Sequence, residues 1–301
     1  MIPERSSSFG KVDPVFRAIH GRGLVPLPGG DVMEITDLLG FKIFSAFLFF
    51  ISGAVMGSFL DCCAWRYVNA DTALSGKRSV CDHCMHLLSA ADLLPIASYL
   101  ILRGRCRYCK ERIPVRHFMT ELFTATSFLL CYLYLGYGLQ LAKALVMLSL
   151  LIPASLTDLD TRTVPNIFFV LMALIWTAMI PFEKDTSKYL INAALGGLLI
   201  PALILAAAIA LKMILKKDCL GGADVKLLFS TGLFLGLAGS LLNIVLMCLF
   251  GLLYAAFRRD ATDRSFAFVP SICLSTFVCS VFGPTLISIY LGIFNMEVWQ
   301  L

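Results

Sequence analysis

Charged residues are scarce in this sequence. Only 15% of its 301 residues are Asp, Glu, Lys or Arg, whereas 58% are hydrophobic and the mean hydropathy is +0.83. Soluble domains carry about 25% charged residues, so the composition excludes a large soluble catalytic domain. The charges form no acidic or basic run, which argues against a nucleic-acid partner. The sequence therefore predicts an integral membrane protein whose partner is the lipid bilayer.

The first 41 residues lack a sustained apolar pattern. They are rich in Ser, Gly and Pro and carry five acidic and four basic residues. They also lack the charged start, apolar centre and small-residue cleavage site of a signal peptide. We therefore expect residues 1–41 to form an extramembrane tail.

About eight later stretches are apolar over the roughly 20 residues that a membrane-crossing helix needs. They lie at 42–60, 119–137, 139–157, 165–181, 189–211, 226–239, 241–256 and 267–294. The fold class predicted is an all-α polytopic membrane protein with about eight transmembrane helices. Its expected regions are the tail, a first transmembrane helix at 42–60, an extramembrane module at 61–118 and a membrane domain at 119–301.

Lys and Arg are distributed unevenly between the loops. If the first helix ends in the cytoplasm, the loops on that side hold 17 basic residues and the opposite loops hold three. The positive-inside rule then places the 61–118 module in the cytoplasm. The four basic residues of the tail fall on the other side, where five acidic residues balance them.

Only four of the 11 cysteines have an informative spacing, Cys81-x-x-Cys84 and Cys106-x-x-Cys109. Two such pairs can place four thiolates around one structural Zn²⁺. A cytoplasmic module this small needs a stabilising cross-link of this kind to stay folded. Disulfide or redox pairing is an alternative that a reducing cytoplasm disfavours. His83 or His86 could replace one ligand. Four protein ligands leave no open position for water, so the metal would not be catalytic.

Two glycine pairs recur at a spacing of four residues within the apolar stretches, Gly53 with Gly57 and Gly232 with Gly236. This spacing lets helix backbones approach closely in lipid. The alternative is that these glycines are simply tolerated in membrane helices.

Acidic residues follow two of the predicted spans at the cytoplasmic face. Asp158 and Asp160 end the third span, and Asp224 follows Gly221 and Gly222 after the fifth. Two carboxyl groups held close together can share one proton, so that one is ionised and the other protonated. The ionised group can then activate water while the protonated group donates to a peptide carbonyl. Glycines beside Asp224 would let a substrate backbone approach closely. The alternative is that these acids are solvated loop charges paired with Arg162 and Lys226.

These residues resemble the type IV prepilin peptidase family of membrane aspartic proteases, whose signature is Gly-x-Gly-Asp. The resemblance extends over residues 50–300. Its motifs are Gly57-Ser58-Phe59-Leu60, the four-cysteine segment with Leu94-Pro95 and Arg103-Gly104-Arg105, the stretch 158–166, Gly221 to Lys226, and 266–270. Arg66 stands at the family's arginine. Two positions differ, because Ala223 replaces a signature glycine and Asp61 replaces the usual Asn.

The resemblance implies a bacterial inner-membrane enzyme that cuts the leader from type IV prepilins or pseudopilins at the cytoplasmic face. It implies Asp158 and Asp224 as the catalytic pair, with Asp160, Gly221, Gly222, Lys226, Asp61 and Arg66 nearby. It also implies a second activity, methylation of the new N-terminus by S-adenosylmethionine. The change at Asp61 falls in the region associated with methylation.

Three other functions remain open from the sequence. The first is a prepilin peptidase without methyltransferase activity. The second is a non-enzymatic membrane scaffold with a zinc module, whose acids are structural. The third is a transporter, although its acids would be expected at mid-membrane rather than at one face.

Overall fold

The structure is a computed structural model that describes residues 24–26, 32–69, 79–81, 83–216, 221–257 and 267–293. The chain divides into two units, residues 1–49 and 50–301. In the first unit, β1 (Leu24–Pro26) and β2 (Val32–Glu34) pair antiparallel, and helix α1 (Ile35–Val68) begins. Most of the tail expected at 1–41 lies outside the described residues.

Helices make up most of the described part of the second unit. After α1 come a 3₁₀ turn (Ala90–Leu93) and the short α2 (Ala97–Ile101) of the extramembrane module. The membrane domain then contains α3 (Val115–Leu135), α4 (Leu139–Thr161), α5 (Asn166–Met179), α6 (Thr186–Ala194), α7 (Ile200–Leu215), α8 (Gly222–Phe257) and α9 (Val269–Ile293). A π-helical segment, Leu195–Leu199, joins α6 to α7 without a break.

Six helical segments of the described chain are long and apolar enough to cross a membrane. They are Leu39–Val68, Val115–Leu135, Leu139–Thr161, Thr186–Ile214, Gly222–Ala256 and Val269–Ile289. The count of about eight is therefore not confirmed. The stretch expected at 165–181 is a shorter helix ending at Phe182, and the stretches at 226–239 and 241–256 belong to one helix, α8.

Helix α4 forms the centre of the bundle. Its face from Met147 to Ile152 is buried, and it packs against α3, α5 and α9. Large apolar side chains on the outer helices are exposed instead, among them Ile191, Leu203 and Val245. An apolar exterior around a packed interior fits a bundle whose solvent is lipid.

The predicted close approach at both glycine pairs is confirmed. A Cβ atom added to Gly232 would lie 2.4 Å from the Gly196 carbonyl oxygen, and one on Gly53 would lie 2.8 Å from the backbone of α3. Gly236 has a positive φ of 68° and interrupts α8. The amide of Asn192 covers this interruption, and its Oδ1 accepts a hydrogen bond from the Leu237 N–H at 2.8 Å.

Candidate active site

Asp158 lies in the last helical turn of α4. The helix ends at Thr161. The next residue, Arg162, has a left-handed backbone (φ 56°) and donates its N–H to the Asp158 carbonyl, and Pro165 follows closely. The Asp158 side chain is 7% exposed. Its Oδ2 accepts a hydrogen bond of 3.3 Å from the N–H of Val269, the first residue of α9. Asp158 therefore connects the end of α4 with the start of α9.

Asp224 is the third residue of α8. Its Oδ2 accepts a hydrogen bond from the Gly221 N–H at 3.3 Å, and its own N–H donates to the Gly221 carbonyl at 3.1 Å. An acid that reaches back from the first turn caps the free N–H groups of a helix. A Cβ on Gly221 would lie 3.0 Å from the Asp224 carboxylate, so glycine gives this carboxyl group room.

The structure brings Asp158 and Asp224 close enough for their carboxyl groups to interact electrostatically. The structure favours this arrangement over the alternative of solvated loop acids paired with Arg162 and Lys226. Among the described residues, neither Asp158 with Arg162 nor Asp224 with Lys226 forms a salt bridge. Lys226 instead donates from Nζ to Asn166 Oδ1 at 2.9 Å, which ties the starts of α5 and α8 together.

Asp160 points away from this pair. Its Oδ1 accepts a hydrogen bond of 2.5 Å from Arg116 Nη1 at the start of α3. No atom of the described residues lies within 4 Å of a Cβ added to Gly222, which leaves room on the described side for a chain to approach.

The two cysteine pairs adopt the same turn. Cys81 N–H donates to the His86 carbonyl at 3.0 Å, and Cys106 N–H donates to the Glu111 carbonyl at 2.8 Å. In each turn the fifth residue, Met85 or Lys110, has a positive φ and donates back to the first cysteine. Each repeat presents two sulfurs on one side of the turn.

The four Sγ atoms lie within 4.8 Å of one another. Cys81 and Cys109 are 3.9 Å apart, close to the roughly 3.8 Å between sulfurs of a tetrahedral zinc site with Zn–S bonds of about 2.3 Å. All four are free thiols, so disulfide pairing is not observed. The ring of His86 lies tilted against the ring of Tyr108 and is not part of the cluster, while His83 is exposed.

The thiols of this cluster influence one another. Hydrogen bonds from the backbone of Cys109 and Tyr108 lower the pKa of Cys106 to about 7, against the effect of burial. A backbone hydrogen bond from Glu111 lowers the pKa of Cys109, but burial and the three other thiols raise it overall to about 11. Cys106 thus loses its proton more readily than an ordinary thiol and Cys109 less readily, and a bound cation would favour the thiolate form of both.

Asp61 and Arg66 lie on α1, which continues to Val68 beyond the expected span. Both line a cavity of about 820 Å³ between the end of α1, the cysteine module and the start of α3. The Asp61 side chain is buried, and its Oδ2 contacts His117 Nδ1. Its Oδ1 faces Arg116 Nε at 3.8 Å, and among the described residues neither of these two buried atoms has a hydrogen-bond partner.

Comparison with known proteins identifies the chain. Residues 51–135 match the family described as the Bacterial Peptidase A24 N-terminal domain, and residues 145–256 match the Type IV leader peptidase family. A relative from Escherichia coli O78:H11, named a type 4 prepilin-like proteins leader peptide-processing enzyme, is 30% identical over 70% of this chain and 85% of its own length. The chain belongs to the type IV prepilin leader peptidase family.

Other members of the family are comparably similar. The prepilin leader peptidase/N-methyltransferase of Bacillus subtilis is 29% identical over 81% of this chain and 97% of its own length. The prepilin leader peptidase/N-methyltransferase of Neisseria gonorrhoeae is 30% identical over 66% of this chain and 69% of its own length. No solved structure matches the chain. The protein is thus a multi-pass membrane protein of a bacterial aspartic peptidase family.

The sequence analysis missed four contributors to these sites. Arg116 and His117 surround Asp61, the Val269 amide binds Asp158, and Asn192 covers the break in α8. Asn192 could have been found as a polar residue inside an apolar stretch. The others had no local signal, because their partners are 55 to 111 residues away in sequence or belong to the backbone.

Proposed function

We propose that this protein is a membrane aspartic endopeptidase that removes the leader from type IV prepilin or pseudopilin precursors. The observation that carries the proposal is that Asp158 and Asp224 lie at the ends of α4 and α8, within range of electrostatic interaction, with Asp158 also bound to the start of α9. The names of the relatives support prepilins as the substrate class.

The reaction needs only the two carboxyl groups and water. The ionised member of the pair takes a proton from water, while the protonated member donates to the oxygen of the scissile carbonyl. The pair titrates as a unit, so the proton belongs to both residues. Gly221 and Gly222 leave space for an extended substrate backbone beside Asp224. This chemistry explains why Asp158 and Asp224 lie at the same end of the bundle although neither forms a salt bridge among the described residues.

In this proposal the active site faces the cytoplasm, and the chain crosses the membrane eight times. Asp224 near the start of α8 interacts electrostatically with Asp158, which binds the start of α9. A Cβ on Gly251 near the end of α8 would lie 2.9 Å from Phe268. Both ends of α8 thus approach one face, although a straight helix of its 36 residues would be about 54 Å long. We infer that α8 turns back at Gly236 and crosses twice, and the shorter helix through Phe182 supplies the eighth crossing.

Methylation of the new N-terminus is the second proposed activity, with S-adenosylmethionine as the methyl donor. The cavity of about 820 Å³ is within the size range of small-molecule sites, and it contains a buried carboxylate oxygen of Asp61 without a hydrogen-bond partner. Arg66, Glu111 and the ring of Tyr99 also line it, which fits a ligand with charged, hydroxyl and aromatic parts. The donor would supply an electrophilic methyl group to an amine.

The four-cysteine module holds a structural zinc ion in this proposal, because the sulfur positions fit a closed tetrahedral site. It would stabilise the wall of the cavity, since Cys81 and Cys106 also line it.

Co-expression with a candidate prepilin, followed by intact mass measurement, tests both activities. Cleavage shifts the product by the mass of the leader, and methylation adds one methyl group to the new N-terminus. Cleavage alone would indicate a peptidase without methyltransferase activity. An unprocessed prepilin, at normal levels of membrane-inserted enzyme, would support a scaffold or transporter.

A further inference from the structure

Among the described residues, seven charged side chains line the 820 Å³ cavity, and five of them already have partners within the protein. Asp92 pairs with Arg107, whose Nε lies 2.6 Å from the Asp92 Oδ1. Asp61 contacts an imidazole ring, and Glu121 accepts a hydrogen bond of 2.7 Å from a backbone N–H of the extramembrane module. Arg66 also has an interaction within the protein. These five groups are engaged without a ligand.

The two remaining charged side chains, Glu111 and Arg112, are neighbours in sequence. Both line the cavity and both are exposed, so a ligand can reach them. Within the part of the chain that the structure describes, neither side chain forms a salt bridge or a hydrogen bond, with the other or with a third residue. Consecutive Cα atoms are about 3.8 Å apart. An anion and a cation therefore stand side by side in the cavity wall.

The backbone of this pair is fixed by the second cysteine turn. The Glu111 carbonyl accepts a hydrogen bond from the Cys106 N–H at 2.8 Å, and Arg112 pairs with Arg105 across the turn in an isolated antiparallel β-bridge. Binding groups on a fixed backbone lose less conformational freedom when a ligand arrives. A zinc ion held by Cys106 and the other three cysteines would thus also hold the charged pair in place.

We propose that this pair binds the α-amino acid end of the methyl donor, Arg112 its carboxylate and Glu111 its ammonium; this inference rests on the proposed methyltransferase function. S-adenosylmethionine carries both charges on one carbon atom, so adjacent opposite charges on the ligand meet adjacent opposite charges on the protein. The planar guanidinium of arginine suits a carboxylate, and a glutamate accepts hydrogen bonds from an ammonium.

A zwitterion fits this pair better than a ligand with a single charge. A phosphate would use Arg112 and be repelled by Glu111, whereas a simple amine would use Glu111 and be repelled by Arg112. Only a ligand with neighbouring charges of both signs engages both residues. The same cavity also has aromatic and apolar walls for an adenosine group, including Trp65 and Phe118.

The test compares two ligands that differ at the proposed contact. S-adenosylhomocysteine carries the amino acid end, whereas 5′-methylthioadenosine has the same adenosine and thioether but ends in a methyl group. Neither can donate a methyl group to an amine, so equilibrium dialysis of the purified full-length protein measures both Kd values without turnover. A partly exposed charge pair contributes a factor of about five in affinity, so two contacts should make the wild-type protein prefer S-adenosylhomocysteine about 25-fold.

Glu111→Gln and Arg112→Gln each remove one charge from the pair. Each variant should lower the preference about fivefold, by weakening S-adenosylhomocysteine alone. The double variant should bind the two ligands equally. The Kd of 5′-methylthioadenosine reports whether the cavity is intact, because a structural defect would weaken both ligands.

Arg105→Gln is the matched control. Arg105 is an exposed arginine of the same cysteine turn, but it does not line the cavity. Its replacement removes a positive charge close to Arg112 without removing a proposed contact. The preference of this variant for S-adenosylhomocysteine should equal that of the wild-type protein.

The outcomes separate the two proposals. Wild-type protein that methylates a prepilin but binds both ligands equally overturns this inference alone. An unchanged preference in either single variant, or an equal loss of both ligands, does the same. Wild-type protein that cleaves but never methylates overturns the methyltransferase function. If that protein binds neither ligand, this inference fails with it, and if it shows the expected preference, the pair remains a binding site for the zwitterion.

Discussion

Asp158 and Asp224 each stabilise a helix end in addition to the chemistry proposed for them. Asp158 accepts from the Val269 N–H, and Asp224 accepts from the Gly221 N–H. These bonds fix both carboxyl groups in a plane of helix ends, so the scaffold positions the acids before substrate arrives. Because an Asn side chain can accept the same bonds, folding and catalysis can be separated at these residues.

We predict that Asp158→Asn and Asp224→Asn each reduce leader cleavage at least about 100-fold, because an amide neither accepts a proton from water nor donates one as an acid. Membrane insertion and thermal stability in detergent should stay near the wild-type values. Cleavage is measured by intact mass of a co-expressed prepilin.

Asp160→Asn is the matched control for that experiment. Asp160 is exposed and contacts Arg116 rather than the pair, and exposed ion pairs contribute little to stability. Cleavage should fall less than about tenfold, as expected for a group outside the reaction. Complete loss in this variant alone would show that the wrong acid of α4 had been chosen.

At the scale of helices, the sequence predicted where apolar segments lie better than how many crossings they make. The expected bounds of α3, α4 and α9 agree with the structure to within a few residues at most ends, because long apolar runs leave few alternatives to a helix in lipid. The interruption of α8 was not predicted. It depends on the positive φ of Gly236 and on Asn192, 44 residues earlier in the sequence.

The site was predictable to a similar extent. The Cys-x-x-Cys spacing predicted that the four cysteines form one cluster. The acidic residues at the ends of two apolar stretches predicted that Asp158 and Asp224 lie near each other. The network of Asp61, His117 and Arg116 was not predictable, because it joins α1 to α3 across 55 residues of chain. Side-chain pairings between distant helices require the packed structure.

We predict that Gly232→Ala destabilises the bundle by about 1–3 kcal/mol, the usual cost of overpacking. The new Cβ would lie 2.4 Å from the Gly196 carbonyl oxygen, a backbone atom that cannot rotate away. Helix α8 would move relative to the π-helical segment, and Asp224 with it. Thermal unfolding in detergent measures the loss.

Gly283→Ala in α9 is the control for this substitution, since nothing lies within 4 Å of its added Cβ. It should leave the unfolding temperature unchanged or raise it slightly, because Ala favours a helix more than Gly does. Equal destabilisation by both variants would contradict the close-approach explanation.

The cysteine module should contain about one zinc ion per chain, since four converging sulfurs form one closed site. We predict that Cys81→Ser combined with Cys84→Ser removes the metal and lowers protein levels, because a module this small depends on the bound metal for its stability. Metal analysis of the purified protein measures the content. Cys131→Ser, at a buried cysteine of α3 outside the cluster, should retain the metal.

Two disulfides among the four cysteines, in protein isolated under reducing conditions, would contradict the zinc assignment. The repeated turn makes this outcome unexpected. Both Cys-x-x-Cys segments bend the same way and direct their sulfurs to a common point, at separations longer than the roughly 2.05 Å of a disulfide.

At the scale of the whole molecule, three helix ends would define the depth at which the proposed cleavage occurs. Asp158 lies in the last turn of α4, Asp224 in the first turn of α8, and Val269 begins α9. A prepilin whose apolar segment lies among these helices would bring its junction to this plane only where its chain leaves the membrane. Glycines 221 and 222 are suited to act as hinges that admit it.

We predict that cleavage depends on the depth of the junction. Inserting four apolar residues on the leader side of the junction should move the scissile bond about 5 to 6 Å deeper, one helical turn, and out of the plane of the carboxyl groups. Cleavage at that bond should fall sharply, because misplacement of a reacting group by even about 1 Å can cost about 100-fold. The same four residues inserted at the far end of the mature apolar segment leave the junction at its original depth and serve as the control. Efficient cleavage at the displaced bond, measured by the mass of the product, would show that the carboxyl pair does not select its substrate by depth.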